Sequence, residues 1–228
     1  MYLEPILLIR SNNKYNRGLI NFQELGYKII NSDILEVEEL PLEELNSEYV
    51  IIITSMNAIF ALEKLQISKN NRIFTVGEFS ASILSNLGYK NIIFGKNSAK
   101  SLLDQIIQKQ QINRAQKILY LSGEIITIDI SKKLQNENYD AIRQIVYKIN
   151  SKSLSKEVIF NLKNNIINSI ALFSQNGVRV FFNLCKKENI DLSNKKIICF
   201  SDNIRNFCQK LSLEHKLSVK EVTLIYLE

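Results

Sequence analysis

Short apolar runs alternate with segments of helical periodicity along this chain. Residues 6–9, 50–53, 73–76, 92–94, 118–121 and 197–200 are nearly continuous in apolar side chains, the pattern of strands covered on both faces. Leu19, Phe22 and Leu25 recur at helical spacing until Gly26 stops them, and residues 27–30 begin a further strand. Helices are likewise expected over 57–65, over 79–87 before a second Gly-Tyr stop at Gly88 and Tyr89, and around Ile128 and Leu134. Ser98 and Ser155 each stand where a helix N-cap is needed, ahead of the stripes Leu102, Leu103, Ile106, Ile107 and Val158, Ile159, Leu162. Two stretches differ. Residues 34–40 alternate apolar residues with carboxylates until Pro41, and 141–149 form a long strand suited to pair with them, so both are expected to link rather than to fill a sheet centre.

The pattern repeats. YVIIITSMNAIFAL at 49–62 returns as SIALFSQNGVRVFF at 169–182, ILLIR at 6–10 as ILYLS at 118–122, and RIFTVGEFSASIL from Arg72 as KIICFSDNIRNFC from Lys196. The first copy has a helix after its strand at 92–94, whereas the second copy's equivalent strand at 219–226 is followed only by Leu227 and Glu228. Strands alternating with helices predict an α/β fold of parallel, doubly wound sheets with right-handed crossovers, used twice. In such sheets ligands lie beyond the carboxyl ends of strands, where helix N-termini present free N–H groups. Thr54-Ser55, Gly77-Glu78, Ser174-Gln175 and Ser201-Asp202 all fall at those ends, and they would line one cleft if the two halves face each other.

Composition narrows the partners. The 228 residues are 46% hydrophobic and 23% charged, enough for packed cores and far from a disordered chain. The net charge of +6 is carried by scattered lysines, which argues against a nucleic-acid stripe. No apolar run approaches the ~20 residues that span a bilayer. The opening MYLEPILLIRS is too short in its apolar run for a signal peptide and carries Glu4 where a positive region is needed, so a cytoplasmic protein is expected. Cys185, Cys199 and Cys208 have no CxxC spacing and read as small core residues. His215 is the single histidine, so neither a multi-histidine metal site nor a Ser-His-Asp triad is indicated. No Gly-rich phosphate cradle follows any strand.

At the strand-to-helix turns, Ser55 and Ser174 have two readings. They cap helix N–H groups while Asn57 and Asn176 steady the turns, or the same four residues hold a ligand.

The ordered set ILLIRS, ELGYKII, IIITSMNAIFAL, FTVGEFSASIL with LGY, ILYLSGE, IVYK and LFSQNGVRVFF resembles the uroporphyrinogen-III synthase family over nearly the whole chain. The resemblance implies two flavodoxin-like α/β domains formed by an internal duplication. One is discontinuous, residues 1–34 with 150–228; the other is 40–145; strands 35–39 and 146–149 link them. It implies a monomeric lyase without cofactor or metal that cyclises hydroxymethylbilane to uroporphyrinogen III in the cleft between the domains, losing water and inverting the last pyrrole ring. Tyr147, the tyrosine of the VY element, matches the family's proton donor. Ser55, Ser174 and Lys196 match residues that line the cleft, and Gly77 matches the glycine of the first-copy turn. The second-copy turn departs from the pattern, since Ile204 stands where a substrate-contacting threonine is common, with Asn203 beside it as a substitute.

Two other classes suit parts of the pattern. A two-lobed binding or sensor protein for a small anion would also use duplicated α/β lobes. A nucleic-acid-binding protein would use the positive charge, and would show steep salt dependence.

Overall fold

The computed structural model describes residues 4–12, 22–45, 48–95, 98–215 and 217–225. In chain order its elements are β1 (Glu4–Asn12), β2 (Tyr27–Glu39), β3 (Val50–Ile53), a 3-10 turn (Met56–Ala58), α1 (Phe60–Lys64), β4 (Arg72–Val76), α2 (Glu78–Asn86), β5 (Asn91–Gly95) and α3 (Ala99–Gln108). There follow β6 (Ile118–Gly123), α4 (Ile130–Asn136), β7 (Ala141–Ser151), α5 (Lys156–Lys163), β8 (Ser169–Leu172), α6 (Gln175–Lys187), β9 (Lys196–Cys199), α7 (Asp202–Glu214) and β10 (Glu221–Leu224). This is an α/β fold, as the alternating pattern predicts. Among the described residues no helix is long and apolar enough to cross a membrane.

Two compact units divide the chain, residues 1–36 with 150–228 and residues 37–149. In the first, the strands lie in the order β10-β9-β8-β1-β2. Each neighbouring pair is parallel. Ile6, Leu8, Ala171 and Ile198 pack with Phe22 on one face, where Phe173 and Phe200 stack at 4.5 Å between ring centroids. Two buried α6 phenylalanines, Phe181 and Phe182, add to the core of this unit. In the second unit the order is β7-β6-β3-β4-β5, again parallel throughout. Val50, Ile52, Phe74, Ile118 and Tyr120 join Leu102, Leu103 and Ile106 of α3 and Leu134 of α4 in its core. Strands this apolar on both faces stay dry only under helices, and the connections from β3 through to β10 each carry one, α1 to α7 in order.

Local signals fare well where the bond that matters is local. Ser98, Ser155, Ser174 and Ser201 all accept a backbone N–H three residues on and start α3, α5, α6 and α7. All three cysteines are buried and free of disulfides.

Three elements differ from the pattern. The expected strand at 27–30 and the alternating stretch at 34–40 are one continuous β2, because the polar residues Asn31 and Ser32 between them pair with Leu8 and Ile9 of β1 instead of turning. The helix expected over 57–65 opens as the 3-10 turn and leaves α1 only five residues, since Ser55 caps Asn57 N, two residues on, and tightens the first turn. The helix around Ile128 starts at Ile130, where Asp129 accepts from Lys132 N. The helix expected from Leu19 falls largely outside the described residues, which resume at Phe22 with a turn that Tyr27 N closes on Phe22 O at 2.8 Å.

Both unit boundaries fall inside strands, one in β2 and one in β7. In the first unit Lys152 N donates to Ile34 O at 2.9 Å, and Lys152 Nζ meets Glu36 Oε1 at 2.7 Å. In the second, Leu40 N donates to Val146 O at 2.9 Å, and Lys148 Nζ meets Glu38 Oε1 at 3.0 Å. The half-exposed ion pairs add little to stability; the backbone bonds carry the pairing.

Candidate active site

In the second unit, the parallel strands β3, β6 and β7 bring two tyrosines to the Thr54-Ser55 turn at the carboxyl end of β3. Tyr120, in the middle of β6, has its hydroxyl 3.0 Å from Thr54 Oγ1. Tyr147, where the pairing of β7 with β6 ends, has its hydroxyl hydrogen-bonded to the side chains of Ser55 and Asn57. Ser55 therefore does two things at once, since its Oγ also accepts Asn57 N at 3.2 Å. The capping and site readings of this serine are compatible. Tyr147 is 6% exposed, and its hydroxyl is engaged by side chains. Burial raises its phenol above the ordinary tyrosine value, partly offset by the bonds to Ser55 and Asn57. Burial raises Tyr120 too, against the opposing pull of Thr54 and of the Arg143 charge. Both phenols thus keep their protons at physiological pH, each held in hydrogen bonds to the Thr54–Asn57 turn.

The Tyr147 ring is seated by its neighbour strand. The register of β6 against β7 slips between Ser122 and Gly123, so that Gly123 faces Tyr147. A Cβ on Gly123 would lie 2.6 Å from Tyr147 Cζ and 2.8 Å from its hydroxyl oxygen, so only glycine fits there. Glu124 N donates to Tyr147 O at 2.9 Å and completes the seat.

Gly77, also expected at the site, lies between β4 and α2 with φ +76° and ψ 149°, a backbone region essentially reserved for glycine. Its N donates to Gly95 O at 3.0 Å, holding the turn at the carboxyl ends of β4 and β5.

In the first unit, Ser174 caps α6, and Asn176 stands in the first turn of that helix. Asn203 is exposed in the first turn of α7, and its carbonyl accepts from Gln175 Nε2 at 3.2 Å. Gln175 thereby ties the two helix starts together, a link the sequence does not announce. Each start lies at a strand's carboxyl end, where the positive end of a helix is suited to carboxylates.

Geometry bears on two further positions. Lys196 begins β9, opposite Ser169, and so lies at the amino ends of the strands that lead to Ser174 and Ser201. Its ammonium is 3.9 Å from Glu221 Oε2. The structure does not bring it to the serine turns. Ile204 is buried with Cys208 and Leu211 on the inward face of α7, so it is a core residue with no polar task.

The sequence also passed over three residues that build the second-unit turn: Tyr120, Gly123 and Arg143. Tyr120 carried a readable signal, because a tyrosine inside a buried strand must find a partner for its hydroxyl. Gly123 carried another, as a glycine at a strand end often marks close approach.

These observations define an α/β protein in which neutral hydroxyl and amide groups gather at the carboxyl ends of parallel strands, with helix N-termini beside them. The family model of uroporphyrinogen-III synthase HemD matches residues 21–225, and the chain belongs to the uroporphyrinogen-III synthase family, lyases of tetrapyrrole biosynthesis. Among solved structures it is similar to a uroporphyrinogen-III synthetase from Helicobacter pylori, at 17% identity and a TM-score of 0.64, covering 96% of this chain and 92% of that one. It is also similar to a mutant uroporphyrinogen III synthase from Thermus thermophilus, at 13% identity and a TM-score of 0.53, covering 96% and 91%. At these identities the likeness concerns the fold. No curated protein matches the chain.

Proposed function

We infer that this chain is a uroporphyrinogen-III synthase, which cyclises hydroxymethylbilane to uroporphyrinogen III with loss of water and inversion of the last pyrrole ring. The observation that carries this is the family match over residues 21–225, joined to a buried, neutral tyrosine at the matching VY position.

Tyr147 is the proton donor. As the C–O bond of the hydroxymethyl group breaks, the leaving oxygen takes a proton and departs as water, and the substituted carbon of the last ring attacks the methylene left behind; that carbon's original methylene bond then breaks and re-forms at the ring's free α-carbon, which loses a proton, so the ring ends inverted. A phenol is a weak acid in bulk water, so its use depends on placement against the leaving oxygen. Ser55 and Asn57 hold it there, and their hydrogen bonds stabilise the phenolate until the proton released by the ring returns to it. The substrate is a polycarboxylate, and the turns at Gly77, Ser174, Asn176 and Asn203 supply backbone and side-chain donors for it. Most of the work is orientation, holding the chain ends so that the substituted carbon attacks.

Residues 1–34 with 150–228 and 40–145 are taken as the two domains, with 35–39 and 146–149 as their linker strands. Support for a duplication comes from the strand orders: β10-β9-β8-β1-β2 and β5-β4-β3-β6-β7 correspond one to one under the sequence repeat. The enzyme is taken to act in the cytoplasm as a monomer without a cofactor; sedimentation at the 26.3 kDa of one chain checks the monomer.

Incubation of the purified protein with freshly made hydroxymethylbilane, followed by separation of the type I and type III products, tests the function. Predominantly type III product is expected. Type I alone, as in a blank without protein, would overturn it.

A further inference from the structure

Arg143 stands on β7 beside Tyr120 of β6 and points along the sheet to the turn that follows β6. Its Nε donates to Ser122 Oγ at 2.7 Å, and its Nη2 donates to Gly123 O at 2.7 Å and to Glu124 O at 2.9 Å. Ser122 is buried, and its hydroxyl donates in turn to Gly123 O at 3.1 Å. One guanidinium thus holds three consecutive residues, and the middle one is the glycine that abuts the Tyr147 ring.

We propose that Arg143 is a positioning residue for the reaction: it fixes the 122–124 backbone, this sets Gly123 against the Tyr147 ring, and the ring in turn holds its hydroxyl on Ser55 and Asn57. The proposal rests on Tyr147 being the proton donor. The short reach between each link is what gives it force. Gly123 leaves no slack, because even a single Cβ at this position would come within 2.6 Å of the phenol end of the ring. Any drift of the 122–124 backbone must therefore move the hydroxyl or open a gap beside it. A guanidinium suits the task because its planar fork meets several acceptors in fixed directions, whereas an ammonium on a flexible stem does not. A shift of ~1 Å at a catalytic group is enough to cost about 10²-fold in rate.

The test is a kinetic cycle with hydroxymethylbilane as substrate. Arg143→Met is expected to lower kcat by about 10²-fold with KM changed less than about threefold, and Arg143→Lys to restore only part of it. The same Arg143→Met change placed in a Tyr147→Phe background is expected to have almost no further effect, since there is no phenol left to position. Gly123→Ala serves as a second probe of the same link should Arg143→Met fold poorly, and is expected to show the same loss of kcat. An Arg143→Met effect of equal size in both backgrounds, or melting loss with kcat unchanged, would overturn the proposal and leave Arg143 as a brace of the sheet. Failure of the underlying reading looks different: wild-type protein without type III product, or Tyr147→Phe at full rate, removes the proton donor itself and takes this inference with it.

Discussion

Thr54 and Tyr120 meet hydroxyl to hydroxyl at 3.0 Å across the sheet of the second unit. One residue further along the same turn, Ser55 holds the second tyrosine, Tyr147. The two contacts fix the end of β3 from two neighbouring strands, so the turn is braced before any ligand arrives.

Tyr120→Phe leaves Thr54 Oγ1 without its partner and is expected to lower unfolding free energy by ~1 kcal/mol, the usual net worth of such a bond. Urea unfolding measures it. Its effect on kcat is expected to stay small, because the Tyr120 hydroxyl is bonded to Thr54, one residue away from the serine that holds Tyr147. A large kcat loss would assign Tyr120 to the chemistry.

Tyr147→Phe keeps the ring against Gly123 and removes only the donor. Loss of general acid assistance is worth ~10²–10⁴-fold, so type III formation should fall by that order while thermal stability shifts little. Full wild-type turnover would remove Tyr147 from the reaction.

Alkaline pH should destabilise the fold through both buried phenols. Their folded values are raised chiefly by burial, so between the ordinary tyrosine value near 10 and the raised values the unfolded chain has lost protons that the folded chain keeps. Stability from these groups is complete below about pH 10 and falls as pH rises above it. Melting temperature followed from pH 8 to 11 should drop more steeply in wild type than in the Tyr120→Phe/Tyr147→Phe double variant. Parallel curves would contradict the burial argument.

Ile204→Thr would place a hydroxyl on the inward face of α7 beside Cys208 and Leu211. Ile204 is 8% exposed, so the change is expected to cost ~1–3 kcal/mol with no fall in KM. A lower KM for hydroxymethylbilane in this variant would return the position to the substrate.

The α/β class was legible because apolar runs and helical stripes each report a local requirement, a covered strand or a one-sided helix. Helix starts at Ser98, Ser155 and Ser174 were legible for the same reason, since a cap bonds to a residue three places on. The site was legible only in part. Ser55 and Asn57 stood out by their turn, and Tyr147 entered through family likeness, but nothing in their own spacing joins them. Only the pairing of β3 with β6 and of β6 with β7 brings residues so distant in sequence to one point, and only the register slip at Gly123 aims the tyrosine. Adjacent lysines show the same limit. Lys195 and Lys196 look alike in sequence, yet Lys195 is wholly buried with its ammonium on Asn165 Oδ1 at 2.7 Å and Asn168 Oδ1 at 3.1 Å, while Lys196 is half exposed at the amino end of β9. Which of two neighbours turns inward is decided by sheet register and by the polar partners waiting there, and both are properties of the folded chain.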